Sequence, residues 1–333
     1  MTKATETKAT GTNATGTNAT GELTLRFLAA PTDAGHAGGG VGGGRVLEWI
    51  DKAAYACAAN WSGTYCVTAY VGDVRFARPV PVGDIVEAHA QVVHTGRSSM
   101  HVAVTVSSGD PKARTTTPAT SCLVVFVAVD ADGSTVEVPR WEPRTDGQRA
   151  RQEEATGRIE VRQRIEAAMA EQRYTEAGTA PRPVLRFLAA PTDVNFGGKV
   201  HGGTVMRWID DAAFVCATGW AQGPTAVVYV GGFRFYRPLL VAEVVEVQAR
   251  LLHTGRSSMH VSVHVRSGDP RTDERRLTTH CALVYVALGP DGRSTPVRPW
   301  RPASAEDRAL DAHARQLVAL RAGTDAPDAP TPG

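Results

Sequence analysis

The sequence predicts an α+β protein built from two copies of one unit, each a long helix laid against a curled antiparallel sheet. Two identical stretches carry the duplication. Leu25-Arg-Phe-Leu-Ala-Ala-Pro-Thr-Asp33 recurs letter for letter as Leu185 to Asp193, and His94-Thr-Gly-Arg-Ser-Ser-Met-His101 recurs as His253 to His260. The first pair is displaced by 160 residues and the second by 159, so the one length change between them falls in a glycine-rich loop ahead of Trp49-Ile-Asp51 and Trp208-Ile-Asp210. Beyond that loop the register holds through Trp61 and Trp220, Cys122 and Cys281, and Trp141 and Trp300. This period exceeds the roughly 20–50 residues of a solenoid repeat and gives two domains of ordinary size.

Each unit reads as a strand, a loop, one helix and then four strands. The spacing predicts a first helix from about Arg45 to Asn60, because Val46, Trp49, Ile50, Ala53, Ala54 and Cys57 fall on one face. The strands show alternation of period two: Val86, Ala88, Ala90 and Val92 against Glu87, His89 and Gln91, and Val261, Val263 and Val265 against Ser262 and His264. Such strands cover a core on one side and face water on the other. Short turn sequences at Pro81-Val-Gly-Asp84, Gly96-Arg97 and Ser108-Gly-Asp-Pro111 imply antiparallel neighbours. The domains are therefore placed at 22–145 and 181–304, with a helical linker over 146–180. Its stretch Asp146 to Gly178 has few large apolar residues and no heptad, which predicts a solvated spacer helix with Ala305 to Leu320 as its counterpart. The Thr/Ala/Gly/Asn tract of residues 1–21 is expected to be a disordered tail, and residues 305–333 a helix followed by a loose end.

With 42% hydrophobic and 21% charged residues, the chain has enough apolar material for two cores. A formal charge of +2, with lysine and arginine scattered, leaves no basic stripe for nucleic acid. The N-terminal tract has no apolar segment, so neither a signal peptide nor a membrane span is expected there. Cys57, Cys66, Cys122, Cys216 and Cys281 form no CxxC pair, and they read as reduced core cysteines of a cytoplasmic protein.

Three features can carry chemistry. Asp51 lies one helical turn from Leu47 and Tyr55, and Asp210 from Met206 and Phe214, so each sits at the margin of an apolar face. There it is either a poised base with a raised pKa or a helix-surface carboxylate bonded to a neighbouring loop. Upstream of the second helix, Asn195-Phe-Gly-Gly-Lys-Val-His201-Gly-Gly203 puts glycine amides at the positive end of a helix dipole, where an oxyanion is stabilised. The first unit has Gly42 at the place of His201 and no asparagine, so its loop reads as bare glycine without side-chain donors. Thirdly, the His-Thr-Gly-Arg-Ser-Ser-Met-His stretch is either a phosphate-binding fork or a hairpin turn. His94 and His101 flank it without further ligands at suitable spacing, so no metal site is expected. Arg75, Arg78, Arg234 and Arg237 are either anion contacts or strand-end charges. There is no Gly-x-Ser-x-Gly, CxxC, Walker loop or dinucleotide fingerprint.

Taken together, Pro-Thr-Asp, Val200-His-Gly-Gly203, Trp-Ile-Asp-x-Ala-Ala, Val71-Gly-Asp-Val-Arg-Phe76, Arg-Pro-Val-Pro-Val-Gly-Asp84, Thr-Gly-Arg-Ser-Ser-Met and Val-Phe-Val-Ala-Val-Asp-Ala-Asp-Gly133 make the chain resemble tandem hotdog acyl-CoA thioesterases of the brain-type acyl-CoA hydrolase family. The resemblance covers roughly 23–132 and 184–291. It implies two hotdog domains packed as a pseudo-dimer, with sites at their interface and hydrolysis of fatty acyl-CoA to free fatty acid and coenzyme A. The alternative is a non-hydrolytic acyl-thioester binding protein. It also implies Asp51 and Asp210 as catalytic carboxylates, with Asn195 and His201 beside them. The amides of Gly202, Gly203, Gly43 and Gly44 would hold the oxyanion. Arg97, Ser98, Ser99, Arg256, Ser257, Ser258 and Thr68 would meet coenzyme A. No cofactor is implied beyond the coenzyme A of the substrate, and a homotrimer of six hotdog units is implied, its outer sheet faces needing cover. Relatives often carry asparagine just ahead of His-Gly-Gly, where this chain has Lys199, and the second unit has Val227 where the first keeps Thr68. Because paired hotdog helices lie antiparallel, Asp51 is expected to meet the loop of Asn195, His201 and Gly202, and Asp210 the glycine loop of the first unit.

Overall fold

The computed structural model describes residues 21–36 and 38–322. The tail expected over 1–21 falls outside these residues except for Gly21, as does the end expected to be loose after 322. Each unit is a hotdog. In the first, β1 (Glu22–Leu28) leads through a single 3-10 turn at Pro31–Asp33 into α1 (Gly43–Ser62), followed by β2 (Cys66–Val71), β3 (Val74–Phe76), β4 (Ile85–Thr95), β5 (Ser99–Gly109) and β6 (Thr117–Ala128). Then come α2 (Asp146–Glu171), β7 (Val184–Leu188) and the matching turn at Pro191–Asp193. The second unit continues through α3 (Gly202–Ala221), β8 (Thr225–Phe235), β9 (Val244–Thr254), β10 (Ser258–Gly268) and β11 (Arg276–Ala287), and α4 (Ala305–Ala322) closes the described chain.

The strands join in one antiparallel sheet of 11, ordered β1-β4-β5-β6-β2-β8-β11-β10-β9-β7. The half-sheets meet where Tyr70 and Val71 of β2 pair with Arg234 and Phe233 of β8, and β3 bridges β6 and β8. Four strands follow the helix in the second unit, as the sequence predicts. The first unit departs from this because the chain leaves the ladder at Gly72-Asp73, where the Tyr229 hydroxyl donates to the Asp73 carboxylate. The helix face foreseen for α1 is buried, with Val46, Trp49, Ile50, Ala53, Ala54 and Cys57 all in the core. All five cysteines are buried and unpaired.

The expected water-facing side of the sheet is partly covered, because α2 and α4 fold back over it. Ile165 and Met169 of α2 pack with Ala282 and Leu317 above the seam of the half-sheets, and Leu310 and Ala314 of α4 cover Leu252. Arg151 donates to the Oε1 of Gln91 at 2.5 Å, so a side chain read as solvent-facing is buried. His264 and His280 are likewise buried, stacked 4.0 Å apart beneath the ring of Tyr174. The linker is therefore no solvated spacer: its few apolar residues sit together on the face that meets the sheet.

The α1 and α3 helices pack against each other through glycines. A Cβ on Gly203 would lie 2.8 Å from the Cα of Glu48, and one on Gly44 would lie 2.8 Å from the Cα of Arg207. No real side chain fits so close to backbone, so the start of each helix is pinned to the middle of the other. Gly203→Ala should cost about 1–3 kcal/mol by overpacking. Gly219→Ala, in the same helix with nothing within 4 Å of its Cβ position, should be neutral or stabilising. Thermal melts of the two variants check this, and a Gly203→Ala protein melting like the parent would contradict the helix contact.

Candidate active site

The crossing helices bring each carboxylate under the first turn of the partner helix. Asp51, in the middle of α1 and 2% exposed, accepts from the amide of Gly203 through Oδ2 at 2.8 Å and from the Thr68 hydroxyl through Oδ1 at 2.8 Å. His201, the residue before α3, places Nδ1 2.9 Å from the same Oδ2 and 3.1 Å from the Gly203 nitrogen. Burial lowers the pKa of His201, but the hydrogen bond and charge of Asp51 outweigh it and the net shift is upward. Asp51 thus stabilises the protonated ring relative to a free histidine.

The loop that delivers His201 is built by Asn195. Its side-chain oxygen accepts from the amides of Gly197 at 2.9 Å and Lys199 at 3.2 Å, its backbone amide meets the Lys199 carbonyl, and the amide of His201 meets the carbonyl of Asp193. The NH2 group of Asn195 is not used by the loop. Asp51, Thr68, Asn195, His201 and Gly202 all line one cavity of about 280 Å³. Its apolar wall includes Tyr55, Val205, Phe235 and Leu239, and Phe196, 94% exposed, stacks on Tyr55 with ring centroids 6.3 Å apart.

The second carboxylate is held differently. Asp210 accepts from the amide of Gly44 through Oδ2 at 2.7 Å, and the hydroxyl of Tyr285 donates to Oδ1. Desolvation pushes its carboxyl up to about 6 even though Tyr285 and Gly44 pull it down. The first unit's loop is not bare, as the sequence suggested, since His36 reaches across with Nε2 3.0 Å from Asp211 and its ring 5.1 Å from Phe214. Counting only glycines in that loop hid a histidine at the position equivalent to Phe196.

The oxyanion donors foreseen from the sequence are only partly available. The amides of Gly203 and Gly44, taken as oxyanion donors, are engaged by the carboxylates, while those of Gly202 and Gly43 make no hydrogen bond among the described residues. Thr68, grouped with coenzyme A contacts, bonds Asp51 and lines the same cavity. Arg97, Ser98, Ser99, Arg256, Ser257 and Ser258 do not line the Asp51 cavity. They form the β4–β5 and β9–β10 hairpins, closed by the Gly96 and Gly255 amides on the carbonyls of Ser99 and Ser258. Of the strand-end arginines, Arg78 and Arg237 direct their guanidinium groups to the carbonyls of Ser108 and Ser267, although Arg237 also borders the cavity. Sequence reasoning missed Tyr285 and the aromatic wall. Setting the units side by side at the 159-residue displacement would have shown Tyr285 opposite Phe126.

Residues 38–114 and 197–274 each match the model of the thioesterase superfamily. The acyl-CoA thioester hydrolase YciA of Salmonella typhimurium is 33% identical over 117 residues, which cover 34% of this chain and 88% of that protein. The chain belongs to the thioesterase superfamily. The cytosolic acyl coenzyme A thioester hydrolase of Homo sapiens is 26% identical over 297 residues, covering 84% of this chain and 77% of the human one. Among solved structures, an acyl-CoA hydrolase from Bacillus cereus is 28% identical, covers 46% of this chain and 96% of its own, and superposes with a TM-score of 0.43.

The two carboxylate sites differ in what surrounds them, and this gives opposite expectations for equivalent substitutions. Losing the carboxylate of the working site should cost orders of magnitude in turnover, whereas losing the other should cost at most about half. Asp51→Asn should therefore nearly abolish thioester hydrolysis and Asp210→Asn should leave most of it, as read by kcat on one acyl-CoA. The reverse ranking would place the reaction at the other carboxylate.

Proposed function

We propose that the chain is an acyl-CoA thioesterase, hydrolysing fatty acyl-CoA to the free acid and coenzyme A at the site of Asp51. One observation carries the reading: a carboxylate with both oxygens held, an unused amide at a helix start and an apolar wall share a single cavity. The names of the relatives, acyl-CoA thioester hydrolases from a bacterium and from human, support the substrate class.

In this reading the thioester carbonyl accepts from the Gly202 amide, at the positive end of the α3 dipole, and from the NH2 group of Asn195. Asp51 takes a proton from water as its oxygen adds to the carbonyl carbon, or attacks that carbon itself to give an acyl anhydride that water then cleaves to the free acid and the regenerated carboxylate. The tetrahedral oxyanion then collapses, the carbon–sulfur bond breaks and the thiolate of coenzyme A takes up a proton. Thr68 and His201 fix the carboxylate so that no reorganisation is needed during the reaction. The reading includes action in the cytoplasm, the compartment named for the human relative, and assembly as a homotrimer. Because α2 and α4 already cover much of the outer sheet face, the trimer has to form on what they leave exposed.

Free-thiol release over a panel of acyl-CoA chain lengths tests the activity. Turnover with at least one chain length is expected, while tight acyl-CoA binding with no thiol released from any would make this a non-hydrolytic thioester-binding protein. Light scattering at micromolar concentration should give three times the mass of the chain, and a monomer would refute the trimer.

A further inference from the structure

The two carboxylates are each held by a hydroxyl on Oδ1, yet the hydroxyls come from different strands. In the first unit the donor is Thr68 of β2, whose direct cross-strand partner on β6 is Phe126. In the second unit the same rung is Val227 of β8 opposite Tyr285 of β11, and the donor is Tyr285. Where the first unit has threonine on one side of the rung the second has valine, and where the first has phenylalanine on the other side the second has tyrosine. Directly opposed residues of an antiparallel pair project from the same face of the sheet, so either member of the rung can reach the helix above it. A loss alone would have left Asp210 with the Gly44 amide as its remaining donor across the helix contact. A gain alone would have crowded a second hydroxyl against Oδ1.

We infer that Tyr285 is a positioning residue for Asp210, its hydroxyl replacing across one rung the threonine hydroxyl that the second unit lacks, so that the second carboxylate is kept in working orientation. The inference rests on the thioesterase reading. Tyr285 is 2% exposed, and burial followed by the charge of Asp210 raises its pKa well above the ordinary value, so it acts as a donor and not as a phenolate. Beside it, Val227 is packed under the helix start: a Cβ on Gly43 would fall 2.4 Å from its Cγ1. The second site therefore keeps a held carboxylate and the unused Gly43 amide, but no asparagine. It is built for slow turnover.

Asp51→Asn leaves the second site as the source of any remaining thiol release. In that background Tyr285→Phe should lower kcat about tenfold with KM little changed, the size expected for a lost hydrogen bond to a charged group. Adding Val227→Thr, which returns a hydroxyl to the opposite side of the rung with nearly the same volume, should restore most of the loss. Residual turnover should rise with pH through about 6 as Asp210 loses its proton. Tyr285→Phe should move that midpoint upward, because its hydroxyl is the foremost group lowering it. A tyrosine needed only for packing would show neither the rescue nor the moved midpoint. The mirrored exchange decides the matter if the residual turnover is too slow to follow: Thr68→Val should cost about tenfold at the main site, and Thr68→Val with Phe126→Tyr should recover it. Double variants that fold, as judged by thermal melts, but do no better than their single parents overturn the inference. Wild-type protein that releases no thiol would instead overturn the thioesterase reading itself, so the two failures are distinguishable.

Discussion

The contact on which the molecule depends is a backbone amide at the start of one helix donating to a carboxylate in the middle of the other. It occurs twice, as Gly203 to Asp51 and Gly44 to Asp210, at 2.8 and 2.7 Å. The amide is one of the donors that a helix start cannot satisfy within itself, and the carboxylate is a charge that cannot be buried without donors. Each supplies what the other lacks. The geometry needs glycine, since any Cβ at these positions meets the backbone of the facing helix, and it locks α1 and α3 antiparallel beneath one continuous sheet.

The same contact makes each site a hybrid of the two units. Asp51 and Thr68 come from the first, while Asn195, His201 and Gly202 come from the second. Because the helix-start amides come in adjacent pairs, one holding the carboxylate and its neighbour unused among the described residues, the carboxylate and the unused amide are fixed relative to each other by the helix pitch. Duplication within one chain then allows the two sites to diverge. One holds a histidine, an asparagine and an aromatic wall; the other holds its carboxylate through a different hydroxyl and carries the His36–Asp211 contact.

Much of this was legible in the sequence. The period of 159 residues, the apolar face of α1 and the alternating strands are local patterns, and they set the fold without any knowledge of contacts. The cross-pairing of Asp51 with the second loop followed from the resemblance to hotdog pairs, whose helices lie antiparallel. What was hidden depended on distance in three dimensions. Gln91 and His264 alternate as solvent-facing residues do, and nothing in their own strands tells that α2 and Tyr174 return to cover them. Nor does the glycine pair before each helix reveal which amide meets a carboxylate and which stays unused. The role of Tyr285 was visible only as a difference between the units, beside a difference at Val227 that reads alone as a loss.

The most direct test of the central claim is a structure of the protein with an acyl-CoA analogue in which methylene replaces the thioester sulfur and the carbonyl is kept. The account predicts the carbonyl oxygen about 2.7–3.1 Å from the Gly202 nitrogen, with the acyl chain against Tyr55 and Phe196 and the carbonyl carbon facing Asp51. An analogue seated instead at Gly43 and Asp210, or at the Thr-Gly-Arg-Ser-Ser turns with its carbonyl away from both helix starts, would contradict it.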